Sequence, residues 1–472
     1  MTDFIQVDAD SITLPDRRLP VAAQVDVLVA GGGPSGFGAA IGAARQGAST
    51  LLIERNGVLG GVATAGGMNT WNVPPNKMTG IAREVAENLI DAGHAVAGPT
   101  VPFDVQALKE LMVEHLVAAG AKLLLYTWAV EPLVRDACVR GLLVINKSGM
   151  QAVLAKTVVD ATGDGDILAG SGAEMVKGRE LDGKMRPVSV LFRLGGVDIG
   201  RLVAYAKQHP EQFSADPNFH ILDPQDGLVR ICGFFDLMSQ AKRTGRVEGD
   251  INYIRFEGIQ VDRGIVTVNN SRVYGVDGTN AWDLSRADIE ARRQNRQLYE
   301  LIKHHVPGCE GCYVLDSSSI GVRETRRIRG SHLLTEEDIA ANRTYDDSVA
   351  RVWRFHAPGA DWHSPDGGEG GPQNLTYRTD ETPLTSYEIP YRCLVPNGAQ
   401  GILAAGRTLS QTQRADMYTR GQYTCMVTGQ AAGTAAALAA RQGVVPREVD
   451  IRRLQRMLVH SGVDIGAAMT AL

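Results

Sequence analysis

The sequence predicts an α/β fold: a Rossmann-type dinucleotide-binding domain interrupted by an inserted α+β domain. Three observations carry that expectation. A strand–turn–helix–strand unit of about 30 residues lies near the N-terminus, with G-x-G-x-x-G at its turn. The same glycine-rich style returns after Gly401, beyond a long stretch that lacks it. Glycine is in excess, with 53 in 472 residues, against a usual share of roughly 7%.

The elements follow in chain order. Residues 1–24 carry Pro15 and Pro20 and read as an N-terminal arm. VDVLVA (25–30) is a continuous apolar, β-branched run, as in a fully buried strand. GGGPSG follows, then the small-residue helix FGAAIGAARQG, then ASTLLIE, a second buried strand ending on Glu54. DVQALKELMVEHLVAA (104–119) is an amphipathic helix with Asp104 as its N-cap and Gly120 as its stop. KLLLYTWAV, CVRGLLVINKS and AVLAKTVVDATG, separated by glycine or charged turns, read as a β-meander. Residues 25–180 thus form the first part of the dinucleotide domain. Residues 181–395 hold most of the tryptophans and histidines and read as an inserted substrate domain. A glycine- and proline-rich loop near 356–373 has the character of a lid. Residues 396–472 complete the first domain with the strand GILAAG and the long small-residue helix TCMVTGQAAGTAAALAARQG.

Composition excludes several classes. Apolar content of 44% and charged content of 21% rule out intrinsic disorder. A net charge of −5 argues against nucleic acid as a partner. The start MTDFIQVDAD lacks the basic and apolar regions of a secretory signal. The small-apolar run at 431–440 falls far short of the roughly 20 residues that span a bilayer. The expectation is a cytoplasmic protein with no membrane partner. Six cysteines, at 138, 232, 309, 312, 393 and 425, are too sparse for a disulfide scaffold. Cys309 and Cys312 form a C-x-x-C without the second ligand pair a zinc site needs, so no metal is expected. A redox dithiol and a pair of free thiols both remain open.

The fingerprint glycines have distinct tasks. Gly31 permits the tight turn, Gly33 lets the backbone approach a pyrophosphate, and Gly36 lets helix and strand pack closely. Phosphates then meet the free N–H groups of the helix N-terminus. Glu54 stands where an acid accepts hydrogen bonds from an adenosine ribose. These residues alone leave NAD and FAD open.

Further segments carry a resemblance. After Glu54 comes ERNGVLGGVATAGG, and much later TVVDATGDGD. These resemble the glutathione-reductase-like FAD-binding superfamily. IGVRETRRIRG (320–330), IPYRCLVP (389–396) and GILAAGRTLSQT followed by GQAAGTAAALA resemble, more specifically, the bacterial FAD-dependent oxidoreductase family. The likeness runs from about Val25 to Gly443. It implies FAD as cofactor. Gly31, Gly33, Pro34, Ser35 and Gly36 match the pyrophosphate loop, Glu54 the ribose acid, and Arg55 the residue beside the adenine. Gly60, Gly61 and Val62 match the Gly-Gly segment beside pyrophosphate and flavin. Val130 matches an adenine-flanking position, and Thr162 and Gly163 the A-T-G strand. Gly406 and Arg407 match the strand end near the ribityl chain. Many superfamily members carry Gly-Asp there, so a carboxylate is missing at that position. Gly421, Gln422, Tyr423 and Thr424 lead into the last helix, whose N-terminus would favour negative charge on a reduced flavin.

The resemblance implies an FAD-dependent oxidoreductase that transfers a hydride between flavin N5 and a small metabolite. A flavin monooxygenase, or a flavoprotein subunit passing electrons to a redox partner, is the alternative. No cysteine lies in 60–67, which argues against a dithiol mechanism there, and no second dinucleotide fingerprint indicates an NADPH domain. Arg323, Glu324 and Arg326 are the expected wall of the substrate site, with a structural ion-pair network as the competing reading. His356 and His363, in the lid-like loop, are expected proton carriers. Arg186 is a candidate anion anchor. Tyr253 and Tyr423 are candidate acids, and Cys425 reads as a packed small hydrophobe.

Overall fold

The computed structural model describes residues 18–214, 228–353, 363–367 and 385–471, together with short strands at 6–7, 12–13 and 220–221. The first strand, β1 (Val21–Ala30), runs into helix α1 (Pro34–Ala44) and on to β2 (Thr50–Ile53). β1 begins before the apolar run because residues 21–24 pair with β-structure through backbone alone, which periodicity does not register. Pro34 opens α1, where its missing N–H costs nothing. Helix α2 (Gly80–Asp91) precedes α3 (Val105–Ala118). Asp104 caps α3 by accepting from the Gln106 and Ala107 amides, at 2.7 and 3.4 Å. Four strands follow: β3 (Lys122–Leu124), β4 (Trp128–Arg135), β5 (Cys138–Asn146) and β6 (Gly149–Asp160).

The middle of the chain builds a second sheet. Its strands are β7 (Phe192–Gly195), β8 (His220–Ile221), β9 (Val229–Gly233), β10 (Ile254–Gln260), β11 (Ile265–Val268) and β12 (Tyr313–Ser317). They are antiparallel neighbours in the order β8-β9-β10-β11-β7-β12. Helices α4 (Ile199–Gln208), α5 (Phe235–Arg243) and α6 (Ala281–His305) supply Leu202, Met238 and Leu298 to a core shared with Phe192, Ile231 and Phe256. This is the expected α+β unit.

The chain then returns through β13 (Ser348–Trp353), β14 (Ser386–Pro390) and β15 (Ile402–Ala404), followed by α7 (Gln413–Thr419), α8 (Gln422–Gln442) and α9 (Ile451–His460). Val349, Val352, Ile389 and Leu394 pack in the core of α1 and α8, not in that of the second sheet. The stretch expected as one insertion therefore divides between two cores. Which core an apolar strand joins is a tertiary fact that composition does not carry.

The first sheet fixes where a ligand can lie. Its order is β3-β2-β1-β6-β5-β4, with β15 also on β6. The first half of β6 pairs antiparallel with β5, and its last three residues pair parallel with β15. Ala30 lies opposite both Ile53 and Asp160, and Asp160 opposite Ala404. Four parallel strands thus end at one level, which is the ligand-binding edge of such sheets. Among the described residues, no helix is long and apolar enough to cross a membrane. The arm at 1–24 and the lid-like loop at 356–373 lie partly outside the described residues.

Candidate functional site

The loop leaving β1 is shaped by what a side chain would strike. A Cβ on Gly36 would lie 1.7 Å from the Gly31 carbonyl oxygen, and one on Gly31 would lie 2.5 Å from that of Ala161. Gly31 also needs φ of +98°, a region open chiefly to glycine. Gly33 is different: a Cβ there meets nothing within 4 Å. Half-buried, it borders open space on its Cβ side. Ser35, in the first turn of α1, is buried, with its side chain under Gly406. The Gly-Gly segment lies against this loop: the Gly60 amide donates to the Gly32 carbonyl at 2.8 Å, and a Cβ on Gly61 would meet the Gly33 Cα at 3.0 Å.

Glu54 is buried and braces the same loop. Its carboxylate accepts from the Gly32 amide at 2.6 Å and from the Asn56 amide and side chain, both at 2.7 Å. Three of about four carboxylate lone-pair sites are used, leaving one for a ligand hydroxyl. The chain at 126–128 passes beside it: the Thr127 amide donates to the Glu54 carbonyl at 2.9 Å, and Arg55 stacks over Trp128 at 5.2 Å. Val130 falls at a register shift in β4, between Ala129 and Glu131, so its backbone steps out of the ladder.

Sequence reading missed Asp160. It is fully buried at the end of β6 and accepts from the Thr162 amide and hydroxyl and from the Ile167 and Leu168 amides, between 2.7 and 3.0 Å. It thereby sets the turn that carries Thr162 and Gly163. Beyond it, Asp164 accepts from Arg407 at 2.8 Å and from the Thr325 hydroxyl at 2.9 Å. Asp164 thus pairs with Arg407 from the neighbouring strand end.

A cavity of about 190 Å3 opens between the first core and the second sheet. Val62 and residues 421–424 line it on one side, and Arg230, Arg255, Arg323 and His363 line the rest with Arg420. Gln422 donates to the Met68 carbonyl at 2.7 Å, and Tyr423 to that of Lys77 at 3.2 Å, which fixes the start of α8. Arg323 donates to the Pro187 carbonyl and, at 2.9 Å, to the Ser189 hydroxyl. No carboxylate among the described residues pairs with it. Burial, then Arg420 and Arg272, lower its pKa from the ordinary value. Burial, then Arg323 and Arg420, likewise hold the His363 pKa well below 6.5, so its imidazole is neutral near pH 7.

The three residues expected on one wall separate. Only Arg323 lines the cavity. Glu324 points into a buried network: it accepts from the Arg186 amide at 2.8 Å and from Gln413, and lies 3.7 and 3.6 Å from the Arg186 and Arg327 guanidiniums. Burial pushes its carboxyl up from the usual range. Arg326 faces the other strand end, 3.1 Å from Asp166. The three neighbours in sequence thus face three different surroundings. Arg186 is fully buried, between Glu324 and Asp416. His356 lies outside the described residues. Tyr253 accepts from Arg272 at 2.6 Å, and burial pushes the Cys425 thiol up to about 12. Cys309 and Cys312 are buried in the core of the second sheet.

Arg230, Arg255 and Arg420 were not anticipated as cavity residues. Arg230 stands in the otherwise apolar strand VRICG, where a lone arginine is the signal that was available, and Arg255 stands in IRFEGIQ two residues before Glu257. Glu257 lies between them, 3.4 Å from Arg230 and paired with Arg255, and accepts from Thr70 at 3.1 Å. Burial alone would raise Glu257, but Arg255 and Arg230 outweigh it and hold the carboxyl at about 2.

The residues present fit an extended dinucleotide: an open backbone at Gly33, a braced acid at Glu54 and strand ends at one level. Comparison with known proteins agrees. The family model described as FAD dependent oxidoreductase matches residues 26–458. The dihydrolipoyl dehydrogenase of Chlorobaculum tepidum is 36% identical over 173 residues, 35% of this chain and 34% of that protein. The thiamine thiazole synthase of Methanococcus vannielii is 31% identical over 151 residues, 30% of this chain and 56% of that protein. The matches thus span about a third to a half of these curated relatives. Among solved structures, the myxobacterial chondrochloren halogenase CndH aligns over 92% of this chain and 78% of its own, at 12% identity and a TM-score of 0.49.

Proposed function

The chain belongs to the FAD-dependent oxidoreductase family, and from that premise we propose that it transfers a hydride between its cofactor and a small metabolite held in the arginine-lined cavity. Gly31, Gly33, Pro34, Ser35, Gly36, Gly60 and Gly61 would hold the FAD pyrophosphate, and Glu54, Arg55 and Val130 its adenosine. Thr162 and Gly163 would close over the adenosine half, and Gly406 and Arg407 would lie by the ribityl chain. Bound FAD supplies hydride exchange at its N5 atom. One observation carries the reading: the cavity is walled both by the segments expected beside the flavin, Val62 and 421–424, and by Arg323 and His363.

The division of work follows from charge. Arg323 and Arg420 stabilise negative charge on the metabolite in a site poor in water. His363, neutral near pH 7, takes or returns the proton that accompanies hydride transfer. Glu324 acts at a distance, holding Arg186 and through it the carbonyls of His363 and Gln413, to which Arg186 donates at 3.4 and 3.0 Å. Six free, buried cysteines suit a reducing cytoplasm.

The test is anaerobic mixing of the purified protein with fractionated metabolite pools, once with oxidised and once with pre-reduced flavin. Bleaching of the first or recovery of the second by one fraction is expected. A flavin that responds to no fraction, yet is reduced by NADPH and consumes oxygen with a hydroxylated product, would establish the monooxygenase alternative instead.

A further inference from the structure

Cys309 and Cys312 lie outside the cavity lining, in the turn between α6 and β12. Both are free and fully buried, in one core with Leu202, Leu298 and Ile302. The Cys312 amide donates to the Cys309 carbonyl at 3.0 Å, which closes a β-turn. Such a turn brings its first and fourth Cα atoms within about 7 Å, and a disulfide needs roughly 4.4–6.8 Å. The two thiols already share a hydrogen bond, so sulfur meets sulfur. Cys138, Cys393 and Cys425 instead donate to the carbonyls of Val139, His332 and Thr419, at 3.7 to 3.8 Å.

The pair is asymmetric. The shared hydrogen bond, then burial, pushes the Cys309 thiol up, and the same bond pulls Cys312 down. Lys303, in the last turn of α6, adds positive charge near Cys312. Its ammonium donates to the Tyr299 hydroxyl at 3.1 Å, and that hydroxyl donates to the Cys312 carbonyl at 3.3 Å. A thiolate favoured by a nearby cation is the reactive partner in thiol chemistry. The cover over the sulfurs is short in sequence. Glu310 and Gly311, the middle of the turn, are exposed, as is every residue of β12. Local opening of this one turn gives access to both sulfurs.

We infer that Cys309 and Cys312 form a reversible thiol–disulfide couple whose oxidant is hydrogen peroxide. The Cys312 thiolate attacks one peroxide oxygen and the O–O bond breaks. The leaving hydroxide takes the Cys312 proton and departs as water, and Cys312 becomes a sulfenic acid. The Cys309 sulfur then attacks the Cys312 sulfur and displaces its hydroxyl, which leaves as water with the Cys309 proton. Two thiols and one peroxide give one disulfide and two waters. Exchange with a dithiol reductant returns the pair to its resting, reduced state.

The experiment treats the folded, FAD-loaded, full-length protein with hydrogen peroxide, then quenches, unfolds, alkylates and digests it. The expected result is the loss of two alkylatable thiols out of six, recovered by dithiothreitol. The peptide carrying Cys309 and Cys312 should be lighter by two hydrogens, while Cys138, Cys232, Cys393 and Cys425 remain alkylated. In Cys309→Ser, which lacks the resolving thiol, dimedone should label Cys312. A wild-type protein that keeps six alkylatable thiols, or that loses the other four as fast as this pair, overturns the inference whether or not the variant folds. A folded Cys309→Ser protein that dimedone does not label at Cys312 overturns the assigned step.

Discussion

Two glycines of one loop make opposite demands. Gly36 has no room for a methyl group, because a Cβ would sit 1.7 Å from a backbone oxygen. Gly33 has room on the protein side and is needed open on the ligand side. Gly33→Val is therefore expected to fold and to purify without FAD, whereas Gly36→Ala should lower the melting temperature itself. Absorbance at the flavin bands and a thermal melt of each variant distinguish the two. Arg323→Ala should retain FAD and lose turnover, and normal turnover would place Arg323 among structural residues. Glu257→Gln leaves Arg230 and Arg255 without their buried counter-charge and should cost about 3–5 kcal/mol in a denaturant titration. His363 adds a pH dependence. Its folded pKa lies below its unfolded value of 6.5, so below pH 6.5 the unfolded chain takes up a proton that the folded chain resists. Its contribution is complete above about pH 6.5 and is lost as pH falls toward the folded value. His363→Gln should flatten that acid limb, measured as melting temperature between pH 5 and 7.5.

At the scale of elements, the contact between α1 and α8 requires glycine at four positions, Gly38, Gly42, Gly429 and Gly433. A Cβ on Gly429 or Gly433 would fall 1.9 Å from the Ser35 or Ala39 carbonyl oxygen, and one on Gly38 would fall 2.2 Å from that of Met426. The two helices meet backbone to backbone. Gly429→Ala should destabilise by about 1–3 kcal/mol, with FAD loss following if the loop before α1 holds the pyrophosphate as proposed. The first strand–helix–strand unit was legible because buried parallel strands read as unbroken apolar runs and the turn needs glycine. The amphipathic α3 was legible down to its Asp104 cap. The carboxylate beside Arg407 was not, because Asp164 comes from a different strand end and meets Arg407 only through the pairing of β6 with β15. Arg230, Arg255 and Glu257 escaped for the same reason: cross-strand neighbours in β9 and β10 become one cluster only when the register is known. Grouping Arg323, Glu324 and Arg326 by sequence adjacency failed because Glu324 is drawn into buried pairs with Arg186 and Arg327, and Arg326 to Asp166, partners from distant parts of the chain.

At the scale of the molecule, two hydrophobic cores meet at a cavity lined by both. The first core presents the strand ends and the N-terminus of α8, and the second presents the arginines of its sheet. The central claim is that the strand ends hold FAD and that the cavity beside them is where a metabolite exchanges a hydride with it. The most direct measurement is the visible spectrum of the purified, FAD-loaded protein mixed anaerobically with a series of metabolite fractions. The account predicts a yellow protein that releases FAD on denaturation, and a flavin that one member of the series bleaches or, after chemical reduction, restores. A colourless protein that takes up no added FAD would contradict it.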